Sequence, residues 1–142
     1  GEESYVKTLK QLAQGLDEGG KIIFTGWLSG MAKTEVLRQA QLFVLASQQE
    51  NFGLSVAEAM ACGVPVLISD QVNIAREVVA AGAGWVLPLN KDDLTNGLRN
   101  ALADQAEREA RGRLARQLAE TKFTWGAVVE QMCDLYRQVL ET

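Results

Sequence analysis

Glu50-Asn51-Phe52-Gly53-Leu54-Ser55-Val56-Ala57-Glu58-Ala59-Met60-Ala61-Cys62-Gly63-Val64-Pro65 follows directly on the apolar run Leu42-Phe43-Val44-Leu45-Ala46. The run reads as a buried strand, and the segment after Gly53 is dense in strong helix formers. A strand, a tight turn and a helix start are therefore expected in succession. In an open α/β sheet, ligands bind in the crevice beyond the carboxyl ends of the strands, where a helix N-terminus presents unpaired N–H groups to anions. The stretch reads as half of a site for a phosphorylated, hydroxyl-rich ligand.

The flanking sequence repeats the same rhythm. Upstream, Tyr5, Val6, Leu9, Leu12, Ala13 and Leu16 recur at helical spacing over residues 4–16, and Gly19-Gly20 marks a turn. Lys21-Ile22-Ile23-Phe24-Thr25 reads as a buried strand ending at Gly26, followed by a loop and a helix from Lys33 or Thr34 to Gln41. Downstream, Gly63 suits the residue after a helix, and Val66-Leu67-Ile68-Ser69 is a continuous apolar run suited to a parallel strand covered on both faces. A helix over 74–81, a strand at Trp85–Pro88, a helix over 93–103 capped by Asp92 or Asp93, and helices over 105–121 and 125–140 complete the series. Such alternation predicts a doubly wound, Rossmann-like parallel sheet with helices on both faces and right-handed crossovers. The apolar side of the last helix, Val128, Val129, Met132, Leu135, Tyr136 and Val139, fits either a core face or an exposed one.

Composition narrows the function classes. A chain of 142 residues is one domain's worth. A net charge of −4 with interspersed signs gives no broad positive field for a nucleic-acid backbone, so no nucleic-acid partner is expected. The absence of histidine removes the commonest general base and any Ser-His or Cys-His nucleophile pair. Cys62 and Cys133 lack metal-ligand spacing and are expected to be reduced. No apolar run approaches the roughly 20 residues of a membrane span, so a soluble, cytoplasmic protein is expected. Arg108, Arg111, Arg113 and Arg116 share a segment with Glu107, Glu109 and Glu120 and read as a solvated, ion-paired face rather than a phosphate clamp.

Glu50 and Glu58 are eight positions apart. With a helix starting near Phe52, they are separated by roughly 9–12 Å at about 1.5 Å per residue. They cannot share one proton or chelate one metal, but they can grip hydroxyls at two ends of an extended ligand. On spacing alone, two ordinary solvated helix charges fit equally well.

Glu50 to Leu54 together with Glu58 to Val66 resembles the Glu-x7-Glu signature of group 1 (family 4) retaining glycosyltransferases. The ordered segments Ile23–Gly26, Ile74–Val79, Gly82–Val86 and Phe123–Trp125 are similar to the same family's C-terminal donor-binding domain, one of the two Rossmann-like halves of the GT-B architecture. The resemblance implies that residues 1–142 form a single, partial C-terminal domain of a hexosyltransferase-type enzyme. Its substrate would be a nucleoside-diphosphate sugar, and it would need neither a metal nor another cofactor. Glu50 would be the catalytic-site carboxylate holding donor-sugar hydroxyls, and Glu58 would accept from the ribose. The amides of Phe52, Gly53 and Leu54, next to Asn51, would meet the sugar or diphosphate. Gly26, Trp27 and Leu28 would line the base, although Trp27 fits an ordinary packing role equally well.

Departures from the pattern carry their own expectations. Ala46-Ser47 stands where the family often has Pro-Ser. Two upstream strands and a basic pair that neutralises the diphosphate have no counterpart, and Lys21 and Lys33 do not occupy the pair's positions. The resemblance thus implies an N-terminal acceptor-binding domain in a full-length chain, through which any peripheral membrane contact would be made, and an isolated chain without transfer activity. Without its neighbours, the 21–25 strand must either pair with 42–46 or leave an edge open to a second copy, giving a homodimer. The alternative is a non-catalytic Rossmann-like module for nucleotide binding or protein interaction.

Overall fold

The computed structural model describes residues 3–17 and 19–140. The chain divides into two compact units, residues 1–30 and 31–142, each taken by itself below.

In the first unit, α1 (Glu3–Gln14) ends in a turn where Leu16 and Asp17 donate to the Ala13 carbonyl. The Asp17 carboxylate then accepts from the backbone N–H groups of Lys21 and Ile22 at 2.5 and 3.1 Å, which fixes the chain as it leaves the turn. Lys10 lies over the Phe24 ring, 5.9 Å from its centroid. Residues 21–25 are not a strand, contrary to the sequence expectation. A β-rich run becomes a strand only when another edge takes its backbone groups. The described sheet offers no pairing to this run, and Ile23 is left 79% exposed.

The second unit carries the sheet. Its elements are α2 (Gly30–Gln39, whose first residue closes the first unit), β1 (Phe43–Leu45), α3 (Leu54–Ala61), β2 (Val66–Ser69), α4 (Ala75–Ala81), β3 (Gly84–Leu87), α5 (Lys91–Ala103), α6 (Gln105–Lys122) and α7 (Trp125–Leu140). The three strands are parallel in the order β1-β2-β3, with Val44 opposite Leu67 and Leu67 opposite Trp85. All four residues of β2 are buried. Successive side chains point to opposite faces, so both faces of this central strand are covered. The fold is the expected Rossmann-like α/β arrangement, with β1 and β3 the outer strands of the described sheet.

The core joins α3 (Val56, Ala59, Met60) to β2, to Val72, Ile74 and Val78, and to Ala115, Leu118 and Ala119 of α6. Full burial of each larger aliphatic side chain contributes about 1.5–3 kcal/mol. Helix α6 corrects the reading of its arginines. Arg108 is only 8% exposed and donates through Nη1 to the Ala101 and Leu102 carbonyls at 2.9 and 2.7 Å, closing the C-terminal turn of α5. Arg111 donates to the Gly84 carbonyl at 2.6 Å and stacks on Trp85, while pairing with Glu107. Arg116 does face solvent, and its pair with Glu120 raises its guanidinium above the usual arginine range. Helix α5 is capped by Asn90, not by an aspartate: the Asn90 side chain accepts from the Asp93 N–H at 2.9 Å and donates to its carboxylate.

No residue of α7 is buried, so its apolar side is the exposed alternative. Both cysteines are free.

Gly112 lets α6 cross closely over the chain leaving α3. A methyl group there would collide with the Gly63 carbonyl, whereas one at Gly126 in α7 meets nothing closer than 4.0 Å. Gly112→Ala is therefore expected to lower unfolding stability by about 1–3 kcal/mol. Gly126→Ala is expected to be neutral or to stabilise by up to ~1 kcal/mol. Urea unfolding of the two variants checks the contrast.

Candidate functional site

Because the strands are parallel, the loops after β1, β2 and β3 emerge at one edge of the sheet. Two of these loops are tied together. Ser69, fully buried at the end of β2, donates its hydroxyl to the Ser47 carbonyl at 2.5 Å. Glu50 forms an isolated parallel bridge to Val72: its N–H donates to Gln71, and its carbonyl accepts from Asn73 at 3.2 Å. The Asn73 side chain also donates to the Asn51 carbonyl. The backbone of Glu50 and Asn51 is thus held by strand-like pairing just past the sheet.

The turn into α3 follows. Gly53 is the helix N-cap with φ 84° and ψ 52°, a left-handed conformation costly for residues with a Cβ. Its carbonyl accepts from Val56 and Ala57. The helix starts at Leu54, two residues later than expected, which leaves Glu50 outside the helix and Glu58 in its second turn, about 6 Å beyond Leu54 along the axis. The N–H of Gly53, expected to face a ligand, donates to the Glu50 carboxylate at 3.3 Å. Glu50 therefore braces the turn in addition to whatever its second oxygen meets. No side chain caps α3.

Glu58 has a partner that sequence reasoning set aside. Lys33 of α2 lies 2.5 Å from its carboxylate, with roughly a third of each side chain exposed. Such a pair contributes no more than about 1 kcal/mol to stability, but it fixes the carboxylate in one position. The spacing signal was weak: Lys33 and Glu58 are on different helices, and only the fold brings them together.

Beside the Asn51–Leu54 turn opens a cleft of about 580 Å³. Phe52 and Phe123, in edge-to-face contact at 5.5 Å, form one part of its wall, and Trp125 and Glu77 contribute to others. Glu50 and Glu58 do not line it. Sequence reading missed Glu77, which it treated only as part of a helix. Among the described residues, no group of three or more His, Cys, Asp or Glu side chains could hold a metal ion, and no helix is long and apolar enough to cross a membrane. Gly26, Trp27 and Leu28 lie in the first unit, where Trp27 is 93% exposed and Leu28 half-buried.

A parallel α/β sheet whose strand-end loops frame a carboxylate-flanked helix start has its candidate site at the end of the sheet where open α/β folds bind ligands. Comparison with known proteins identifies the family. The model for glycosyl transferases group 1 matches residues 1–118, and the chain belongs to that family. It is 36% identical over 113 residues to the alpha-maltose-1-phosphate synthase of Mycobacterium tuberculosis, covering 74% of this chain and 29% of that one. The sucrose-phosphate synthase of Thermosynechococcus elongatus superposes with a TM-score of 0.82 at 29% identity, over 97% of this chain and 35% of the other. The C-terminal domain of a group 1 glycosyl transferase from Francisella tularensis superposes with a TM-score of 0.75 at 23% identity, over 87% and 64% respectively, and shares the fold. The chain spans about a third of the length of the curated relatives it matches.

A Cβ at position 53 would stand 3.1 Å from Val72 Cγ1 and 3.2 Å from Val56 Cγ2, in addition to the strain of its positive φ. Gly53→Ala is expected to cost about 1–3 kcal/mol. The amide resonances of Glu50 to Glu58 should shift together in NMR spectra; unchanged stability with unchanged shifts would contradict this account of the turn.

Proposed function

We propose that residues 1–142 are the C-terminal, nucleotide-sugar-binding domain of a retaining, hexosyltransferase-type glycosyltransferase. The observation that carries this reading is the pair Glu50 and Glu58, set on either side of the Gly53 turn at the carboxyl end of a parallel sheet in a group 1 chain. Glu58, paired with Lys33, accepts from ribose hydroxyls on this reading. Glu50 uses one oxygen to brace the Gly53 N–H and has the other for a donor-sugar hydroxyl. The turn from Asn51 to Leu54, at the uncapped start of α3, offers amide dipoles to the diphosphate.

Transfer proceeds by front-face substitution. The bond from the anomeric carbon to the phosphate oxygen breaks, and the acceptor oxygen bonds to the same face of that carbon. The acceptor's proton passes to the leaving diphosphate, so no protein base is needed in a chain without histidine. Amide dipoles at the helix start stabilise the charge that builds on the leaving group. The acceptor is held by an N-terminal domain, so this chain alone binds the donor without transferring its sugar. The outer edge of β1 in the described sheet is read as the pairing surface of a homodimer.

Titration calorimetry with UDP-, GDP- and ADP-sugars is expected to show binding of at least one donor, weakened tenfold or more by Glu58→Ala. Binding of none, or binding indifferent to Glu58, would contradict the reading. Sedimentation should show a dimer that Val44→Pro dissociates, whereas a wild-type monomer would remove the dimer from the account.

A further inference from the structure

The Lys33–Glu58 pair does little for the fold that holds it. With 38% and 33% of the two side chains exposed, water screens the attraction, and pairs of this kind contribute little to stability. Lys33 also stands in the first turn of α2, where the helix dipole disfavours a cation, and α2 has no buried residue. What the pair offers is a donor and an acceptor side by side and open to solvent. An ammonium carries three N–H donors and a carboxylate two oxygens, so the 2.5 Å contact to Oε1 leaves capacity on both sides.

A hydroxyl group uses both halves of such a pair, because it donates through its hydrogen and accepts through its lone pairs. A phosphate would meet repulsion from the carboxylate and a cation from the lysine, while an apolar group would desolvate both charges without replacing their water. We infer that Lys33 is a ligand-binding residue beside Glu58, and that the two together read one ribose hydroxyl of the nucleotide donor. The hydroxyl donates to the Glu58 carboxylate and accepts from the Lys33 ammonium. This rests on the reading of Glu58 as the ribose acceptor and adds a specificity to it. A deoxyribose removes the group that joins the two charges, so the pair discriminates against deoxynucleotides more strongly than a carboxylate alone.

The test is titration calorimetry of this chain with UDP, GDP and ADP, each compared with its 2′-deoxy and 3′-deoxy forms. The best-bound ribonucleotide is expected to exceed one of its deoxy forms by about tenfold or more in affinity. Lys33→Met keeps the length of the side chain and removes its charge. It should weaken the ribonucleotide by about tenfold and bring the ribo and deoxy forms within about threefold of each other, with an unchanged melting temperature. Lys33→Arg, which restores a donor, should recover part of the ribose preference.

The preference separates this inference from the reading beneath it. If Lys33→Met keeps the ribose preference while Glu58→Ala loses it, Glu58 reads the ribose unaided and only the inference falls. Equal weakening of ribo and deoxy forms in Lys33→Met would reduce the lysine to a distant charge, and tighter binding would make it a competitor for the carboxylate. A lowered melting temperature in both Lys33 variants would make it a structural tie. Each of these overturns the inference, and a wild type that binds no nucleotide, or shows no ribose preference, overturns both.

Discussion

Gly53 turns the chain through a left-handed conformation while packed against Val72 and Val56, and the surface of the candidate site depends on that turn. On one side of it, Glu50 is locked by a parallel bridge to Val72 beyond the last residues of β1 and β2. On the other, α3 departs with Val56, Ala59 and Met60 fully buried, so its rotation is set by the core and Glu58 must emerge where Lys33 meets it. The carboxylate of Glu50 closes the arrangement by accepting from Gly53 itself. One backbone conformation therefore fixes two acidic side chains that the sequence places eight residues apart.

The helix that leaves that turn is packed in turn against α6. This helix shares the core with α3 through Ala115 and Ala119, and Gly112 lets it approach the chain leaving α3 at Gly63. It also reaches outward with charged groups used as structural ties: Arg108 to the end of α5, and Arg111 to the start of β3. A buried guanidinium is stable only because carbonyls fill its donor positions. The site lies at one edge of the sheet, and rigidity reaches it through α3 from a helix that contributes Lys122 to the neighbouring cleft.

Much of this was legible in the sequence, because long-period and short-period apolar patterns are local. The strand Val66–Ser69, the last helix and the strand-turn-helix around Gly53 follow from patterning alone. Residues 21–25 have the composition of a strand, but composition cannot supply a neighbouring edge, and the described sheet gives them none. The arginines of α6 read as a solvated face because they alternate with glutamates. Yet Arg108 falls in line with Gly112, Ala115 and Ala119 at helical spacing, a stripe that marks it as inward. Asn90 lost out to the adjacent aspartates as a cap because all three residue types suit the position. The Lys33–Glu58 pair and the unpartnered oxygen of Glu77 depend on tertiary contacts and leave no pattern in the chain.

The central claim is that the Gly53 turn presents Glu58 to the ribose of a nucleotide donor. Its most direct test is a crystal structure of the chain grown with the tightest-binding nucleoside-diphosphate sugar. The account predicts ribose hydroxyls within hydrogen-bond distance of the Glu58 carboxylate and the diphosphate against the Asn51–Leu54 turn. A nucleotide bound elsewhere, with the Lys33–Glu58 pair intact and no ligand atom near the turn, would contradict it.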